Sequence, residues 1–332
     1  MTEKSPPAGP GEQHRALLDA AVRAPSSHNT QPWLFRLEHD AVHLFADRTR
    51  ALPVNDPDDR ELTISCGCAL LNLRVAATAA GLRAACRLLP DSDTEDLLAT
   101  VHLAPGSDGA GDAALAGEIG RRRTLRKRFD DRAVPPAVLR DLLRAVEDEG
   151  AWAVVVDGEA QRQAVASLVS EGDAMQWSSP HWRRELAQWM HPRRRGDGLA
   201  LAGIAAPLAQ VVVRTVDMGT GVGAKDHALA ENSPLLLAIG TAGDGSEDWL
   251  RAGQALERLL LVACGHGLQA GYLNQPLQLP ALRHRLQHQL GHDGFPQLLL
   301  RLGYCDDPGE ASPRRPLDTV LVAADDGRHE TR

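Results

Sequence analysis

The pattern of apolar and polar positions predicts two similar sets of helices and strands, one after the other along the chain. In the first set, an amphipathic run over residues 14–23 predicts a helix, and two apolar runs joined by a polar turn at residues 38–40 predict a hairpin. Residues 61–82 are apolar nearly all round, which predicts a long helix buried on most sides. A strand over residues 98–103 and a Gly/Asp/Ala-rich linker over residues 107–112 complete this set.

The second set repeats this order with an addition. It has a helix over residues 136–147 that opens with proline, a strand over 152–156, a second long apolar helix over 249–268 and a strand over 297–302. An extra segment, from about residue 172 to about residue 230, has no counterpart in the first set.

The two long helices also resemble each other residue by residue. When Gly67 is aligned with Gly253, eight of eighteen positions, counted from that pair onward without a gap, are identical, where composition alone gives roughly two or three. Two Ala/Leu-rich core helices could agree by bias, but the matching helix-end Gly-Leu pairs favour an internal duplication. We therefore expect a first half over residues 14–112 and a second over 113–320, with polar tails at 1–13 and 321–332.

Composition limits the classes of function that we expect for this chain. The formal net charge is −8, so no overall positive field would attract nucleic acid or an anionic membrane. No stretch has the ~18 uninterrupted apolar residues of a membrane helix, and the polar start does not have the pattern of a signal peptide. The five scattered cysteines do not form a disulfide framework, which predicts a cytoplasmic protein. Cys66 and Cys68 lie inside the apolar helix without further ligands at metal-site spacing, which favours a small buried structural role over metal or redox chemistry.

Three short segments have the composition of a binding site. Residues 25–33 (PSSHNTQPW) place hydroxyls and amides between two prolines, a loop that presents fixed donors and acceptors to a flat polar heterocycle. Residues 121–128 hold six cations in eight positions, which suits a phosphate. Residues 313–317 (PRRPL) are again cationic and stiffened by prolines. The alternatives are an elaborate turn for the first segment, and a solvated or nucleic-acid-binding stretch for the second.

These segments carry a family resemblance. Residues 25–33 resemble the Pro-Ser-x-x-Asn-x-Gln-Pro-Trp segment of FMN-dependent nitroreductases, and residues 122–126 resemble their Arg-Arg-Ser-x-Arg opening. Gly303-Tyr304 followed by residues 314–317 resembles their C-terminal Gly-Tyr and Arg-x-Pro-Leu ending. Here, however, the Pro-Ser segment precedes the arginine segment by about a hundred residues, and each predicted half has only one of the two. Nitroreductases are dimers whose FMN sites draw on both subunits, and the sequence resembles the single-chain Acg-type branch, which imitates such a dimer.

The resemblance implies an α+β nitroreductase-like fold: two fused copies form a pseudo-dimer, with mixed, mostly antiparallel sheets and the long core helices packed between the halves. It also implies an FMN site. Arg122, Thr124, Arg126, Arg314 and, with less support, Arg315 would hold the phosphate and ribityl chain. The isoalloxazine ring would meet residues of the Pro-Ser segment, namely Pro25, Ser26, Ser27, Asn29 and Gln31. The backbone around Asn274 and Gln275 would lie beside flavin N5.

The expected function is an FMN-dependent oxidoreductase that passes two electrons through flavin to a small electron-poor acceptor, with NAD(P)H or another donor. Because the flavin carries the chemistry, no catalytic side chain and no metal are expected. His28 is better suited to a structural hydrogen bond than to acid–base work. We expect a monomer with no nucleic-acid or membrane partner. The rival hypothesis is a protein that binds or sequesters FMN with little turnover, and a third is a pure interaction module.

Two further segments have alternatives of their own. Residues 219–224 are glycine-rich but lack the G-x-G-x-x-G spacing of a dinucleotide-binding loop, which predicts a flexible loop. In the extra segment, an apolar stripe of Trp182, Leu186 and Trp189 between flexible joints predicts a lid over the cofactor. The alternative is a surface helix that covers core.

Overall fold

Two four-stranded sheets and ten helices make up the part of the chain that the computed structural model describes, which comprises residues 10–106, 110–190, 196–199 and 206–323. The helices are α1 (Pro10–Ala21), α2 (Arg60–Ala79), α3 (Ala110–Ile119), α4 (Pro136–Glu147), α5 (Glu159–Ser178), α6 (Pro180–Gln188), α7 (Ala206–Thr215), α8 (Gly219–Glu231), α9 (Ser246–Gly265) and α10 (Pro280–Leu290). The strands are β1 (Trp33–Glu38), β2 (Ala41–Ala46), β3 (Leu82–Leu88), β4 (Leu97–Pro105), β5 (Trp152–Val155), β6 (Leu235–Thr241), β7 (Leu268–Tyr272) and β8 (Phe295–Tyr304).

The two sheets have the same topology. Their strand orders are β1-β2-β4-β3 and β5-β6-β8-β7, and the paired strands are antiparallel. A tryptophan opens the first strand of each sheet, Trp33 opposite Ala46 and Trp152 opposite Gly240. Each sheet also has a register shift where its second strand pairs with its fourth. The predicted α+β fold of two fused copies is confirmed.

The long helices α2 and α9 cross at the two glycines that the repeat aligns. A Cβ atom on Gly67 would lie 2.4 Å from the carbonyl oxygen of Leu250, and one on Gly253 would lie 2.0 Å from that of Ile64. Each of these carbonyls belongs to the residue three positions before the other glycine, so the contact is symmetric. One apolar cluster runs from the first sheet through this crossing to the second. The long core helices therefore pack between the halves, as predicted.

Helix α2 is long and apolar enough to cross a membrane by length and composition, but 83% of it is buried inside the protein. Its two cysteines lie in this buried part, where the Cys66 thiol donates to the carbonyl of Pro32 and the Cys68 thiol to that of Gly253, both at 3.2 Å. Burial raises the pKa of both thiols, which keeps them protonated. Both side chains therefore contribute to packing.

Several predicted boundaries were wrong. The long helices end before Gly81 and Gly267, whose positive φ angles of 74° and 80° turn the chain into the strands β3 and β7 that the sequence analysis missed. Helix α3 begins inside the predicted linker, whose residues 107–109 lie outside the described part of the chain. Helix α1 likewise begins at Pro10, inside the predicted tail, while residues 1–9 are not described.

The extra segment is longer than predicted. It comprises α5 to α8 between β5 and β6, at the place where the first copy has a two-residue turn between β1 and β2. Residues 219–224 begin α8, so the predicted flexible loop was wrong. The glycines there allow close helix packing, because a Cβ on Gly223 would lie 2.9 Å from the hydroxyl oxygen of Ser170 on α5.

The three residues of the predicted apolar stripe in the extra segment do not share one environment. Trp182 and Leu186 are buried with Trp177 and Val213 in a small cluster of their own. Trp189 lies beyond the end of α6, where the guanidinium of Arg50 covers its ring at 5.3 Å from the centroid.

Two connecting segments cross between the sheets. Thr124 forms a parallel bridge with Ala270 of β7, which places the arginine-rich segment on the second sheet. Leu321 forms a parallel bridge with Phe35 of β1, so the beginning of the predicted C-terminal tail is paired with the first sheet. Residues 324–332 of that tail lie outside the described residues.

Candidate functional site

The Pro-Ser loop between α1 and β1 has an unusual backbone. His28, Asn29 and Gln31 have φ angles of 49°, 55° and 53°, in the left-handed region that side-chain-bearing residues seldom adopt. The hydroxyl of Ser26 accepts a hydrogen bond from the amide of Gln31 at 2.9 Å and stabilises this path. Strained non-glycine residues cluster at functional sites, so the loop is more than a helix stop.

The loop is held by the C-terminal segment of the second half. The side chain of Gln31 is buried, and its oxygen accepts from the amide of Arg315 at 2.9 Å. Asn29 donates to the carbonyl of Pro313 at 3.2 Å, and its side-chain oxygen accepts from Arg314 at 3.3 Å. The structure therefore brings together two motifs that lie almost three hundred residues apart in sequence.

Arg122 and Arg314 converge on one point of the first half. An Nη2 atom of each donates to the carbonyl of Arg23, at 3.0 Å and 2.9 Å respectively. The hydroxyl of Thr124, an exposed residue, lies 3.4 Å from Nη1 of Arg122. Burial and then the charge of Arg122 lower the pKa of Arg314 to about 10. Two cations held this close with a hydroxyl beside them suit a phosphate group.

Arg126 lies near His28 of the Pro-Ser loop. Its side chain is reached by solvent, although the surrounding protein lowers its pKa by desolvation. Burial and then the charge of Arg126 lower the pKa of His28 to about 4, which keeps this imidazole neutral at neutral pH. Nδ1 of His28 has no hydrogen-bond partner among the described residues, so the expected structural hydrogen bond is not seen at that atom.

Gln275 connects the turn after β7 to the extra segment. Its amide donates to Asp226 on α8 at 2.8 Å and to Asp173 on α5 at 3.2 Å. Burial, then the charge of Asp226, raises the pKa of Asp173 to about 7. Asp226 in turn stabilises the charge of Arg126. The sequence analysis missed both aspartates because no motif marks them.

The remaining predicted side chains serve the fold in this structure. Asn274 points into the second sheet, where its oxygen accepts from the amide of Leu299 at 2.9 Å. Ser27 donates to Glu61 at the start of α2, at 2.6 Å. Arg315 pairs with Asp47, 3.3 Å away, and fastens the C-terminal segment to the first half. Pro25 is buried.

Two relatives found by comparison with known proteins are named for one and the same family. No family model matches the chain. A Mycobacterium tuberculosis H37Rv protein named as a candidate NAD(P)H nitroreductase, Rv3131, is 32% identical over 322 residues, which cover 93% of this chain and 91% of that protein. The Acg protein of the same organism, also named as a candidate NAD(P)H nitroreductase, is 30% identical over 328 residues, which cover 95% of this chain and 97% of that protein.

The chain belongs to the nitroreductase family, in its Acg-type branch. Among solved structures, the FMN-dependent nitroreductase NfnB of Mycobacterium smegmatis in complex with NADPH is 19% identical. That alignment covers 62% of this chain and 96% of NfnB, with a TM-score of 0.42. The Acg-type chain described here resembles its mycobacterial relatives over almost its whole length, including both sheets and the extra segment.

Proposed function

We propose that this Acg-type nitroreductase is an FMN-dependent oxidoreductase that passes two electrons to a small electron-poor acceptor. The observation that carries the proposal is the convergence of Arg122, Thr124 and Arg314 with the Pro-Ser loop of the other half. Each of these elements resembles a part of the family's FMN site, and the fold assembles them into one place.

The residues present fit this cofactor. Nε of Arg314 is buried without a hydrogen-bond partner among the described residues, and Thr124, beside Arg122, is exposed. Arg122, Thr124 and Arg314 would hold the phosphate, and Arg126, near His28 of the Pro-Ser loop, would place a positive charge beside the reduced flavin, which carries a negative charge. The backbone at Gln275 would lie beside the ring. Bound FMN would supply the two-electron chemistry, so the protein contributes position and charge.

We further propose NAD(P)H as the electron donor, since the similar mycobacterial proteins are named for it. The α2–α9 contact is already made within one chain, which supports a monomer that imitates a dimer. A cytoplasmic location fits five cysteines that are all free thiols.

A second candidate function, the sequestering of FMN, rests on residues 196–199 of the extra segment. The carbonyl of Gly196 accepts from Gln31 at 2.7 Å, and the amide of Gly198 donates to the carbonyl of Asn29 at 3.2 Å. Asp197 pairs with Arg50. This strap lies on the Pro-Ser loop, an arrangement that favours slow exchange of a bound cofactor and supports the lid hypothesis.

Spectroscopy on the purified protein separates these functions. Flavin absorbance is recorded with and without added FMN, the protein is reduced anaerobically with NADPH or dithionite, and nitroaromatic or quinone acceptors are then added. Fast reduction by NADPH and fast reoxidation by an acceptor support the oxidoreductase. A tightly bound flavin that neither NADPH nor acceptors reach supports sequestering. A colourless protein that does not take up FMN contradicts both and favours an interaction module.

A further inference from the structure

Glu257, in the middle of α9, is a fully buried carboxylate without a hydrogen-bond partner. Its exposure is 0%, and neither of its oxygens has a partner within hydrogen-bonding geometry among the described residues, although the amide of Asn72, likewise outside that geometry, lies near it. The cation nearest to it is Arg122, whose Nε lies 3.5 Å from Oε1. A buried carboxylate is costly unless it is paired, so its one close charge contact identifies the group on which it acts.

That contact leads directly to the predicted phosphate site. Arg122 is oriented by three neighbours: the carbonyl of Arg23 on Nη2, the hydroxyl of Thr124 on Nη1 and Glu257 on Nε. Thr124 is exposed whereas Glu257 is buried, so the guanidinium lies between an exposed hydroxyl and a buried carboxylate. We propose that Glu257 regulates phosphate binding, and that it does so by competing with the ligand for Arg122. This inference rests on the proposed FMN site.

The charge of Glu257 makes phosphate binding depend on pH. Burial raises the pKa of this carboxyl to about 7, and the charge of Arg122, the amide of Asn72 and the charge of Arg314 offset part of that rise. The charged and titratable groups that face it from the neighbouring elements are Arg122, Arg314, Cys68 and Tyr272. Burial raises the pKa of both the Cys68 thiol and the Tyr272 phenol, so these two remain neutral.

Phosphate and the Glu257 carboxylate therefore compete for the same guanidinium. Below about pH 7 the carboxyl is protonated, and Arg122 is available to the phosphate. As the pH rises through this range, the carboxylate forms, occupies Arg122 and repels the ligand. By linkage, phosphate binding must favour uptake of a proton by Glu257.

The substitution Glu257→Gln tests this, because glutamine has the same shape and stays neutral at every pH. FMN affinity is measured for wild type and variant between about pH 6 and about pH 8.5. The phosphate of FMN titrates equally in both, so the ratio of the two dissociation constants isolates Glu257. At the acidic end we expect the two dissociation constants to be nearly equal. At the alkaline end the variant should bind FMN up to ~10-fold more tightly than wild type, which corresponds to about one pKa unit of coupling between Glu257 and the phosphate.

Two controls accompany the titration. Riboflavin lacks the phosphate, so the ratio of its dissociation constants for wild type and Glu257→Gln should not change with pH. Glu149→Gln neutralises another buried carboxylate, which is bound by Arg74 at 2.7 Å and Arg258 at 2.6 Å, and its FMN ratio should also stay flat. Calorimetry of FMN binding to wild type at about pH 7.5, in two buffers of different ionisation enthalpy, gives proton uptake without any variant.

The outcomes are distinct. A rising FMN ratio with flat controls, together with proton uptake by wild type, supports the inference. A flat FMN ratio in a folded Glu257→Gln protein, or no proton uptake by wild type, overturns it and leaves the FMN site standing. Absence of FMN binding by wild type at every pH overturns the proposed function and this inference together.

Discussion

At the residue scale, the candidate site depends on a few polar side chains whose charges the protein interior modifies. Arg122 and Arg314 both donate to the carbonyl of Arg23, so two positive charges that repel each other are held close together. Burial, and then the charge of Arg122, lower the pKa of Arg314. Such a site is best stabilised by an anion, so the two arginines are the residues whose loss should reduce affinity most.

We expect Arg122→Ala and Arg314→Ala each to weaken FMN binding ~10–100-fold, since a charge-assisted contact contributes ~1.5–3 kcal/mol. Arg121→Ala is the matched control, because this exposed neighbour pairs with Glu118 and should leave affinity unchanged. Fluorescence titration with FMN and with riboflavin measures the effect. Equal losses for both ligands would show that the arginines bind something other than the phosphate.

At the element scale, the crossing of α2 and α9 joins the two copies. Gly67 and Gly253 permit this approach because any Cβ would overlap a carbonyl oxygen of the opposite helix. The sequence analysis described the extra segment less accurately. Its glycines at the start of α8 predicted a flexible loop, but in the structure they allow α8 to pack closely on α5.

Gly253→Ala should destabilise the protein by about 2 kcal/mol, because the added methyl group meets the backbone of Ile64, which cannot move without shifting the helix. Gly221→Ala, in a helix with nothing within 4 Å of the added atom, should stabilise the protein by ~0.5–1 kcal/mol. Thermal or denaturant unfolding measures both. Equal stability for the two variants would contradict the tight crossing.

The strap hypothesis also has a test at this scale. Glu185 on α6 accepts hydrogen bonds from the amides of Val54 at 2.8 Å and Asn55 at 2.9 Å, and so holds the extra segment on the first half. Glu185→Ala should accelerate FMN release several-fold, as each bond to a charged acceptor contributes ~1.5–3 kcal/mol. Arg184→Ala changes an exposed residue of the same helix and serves as the control. An unchanged release rate in stopped-flow measurements would argue against a strap that limits exchange.

At the scale of the whole molecule, the two halves divide the site between them. The first half provides the Pro-Ser loop and lacks an arginine segment, while the second provides the arginines and has residues 149–152 where the loop would be. The bridge between Leu321 and Phe35 and the hydrogen bonds of Arg122 and Arg314 to Arg23 bring these parts together. A second site, with the roles of the two halves exchanged, would need an arginine segment in the first half and a Pro-Ser loop in the second.

The chain should therefore bind about one equivalent of FMN, because the described residues contain one complete set of phosphate ligands. Flavin released by heat denaturation, quantified by absorbance against protein concentration, gives the stoichiometry. Two equivalents per chain would contradict the division of the site between complementary halves.

The sequence by itself determined the features that are written in contiguous residues. Glycine and apolar spacing revealed the long helices and their duplication, and the three motifs at residues 25–33, 121–128 and 313–317 indicated the family and the composition of the site. Only the tertiary structure decided which residues share an environment. Strand β3 is largely exposed and depends on pairing with β4, so its own pattern is weak. Asp173, Asp226 and Glu257 acquire their roles from neighbours far away in sequence. Burial and proximity set the proton affinity of a side chain, and both arise only when distant segments pack together.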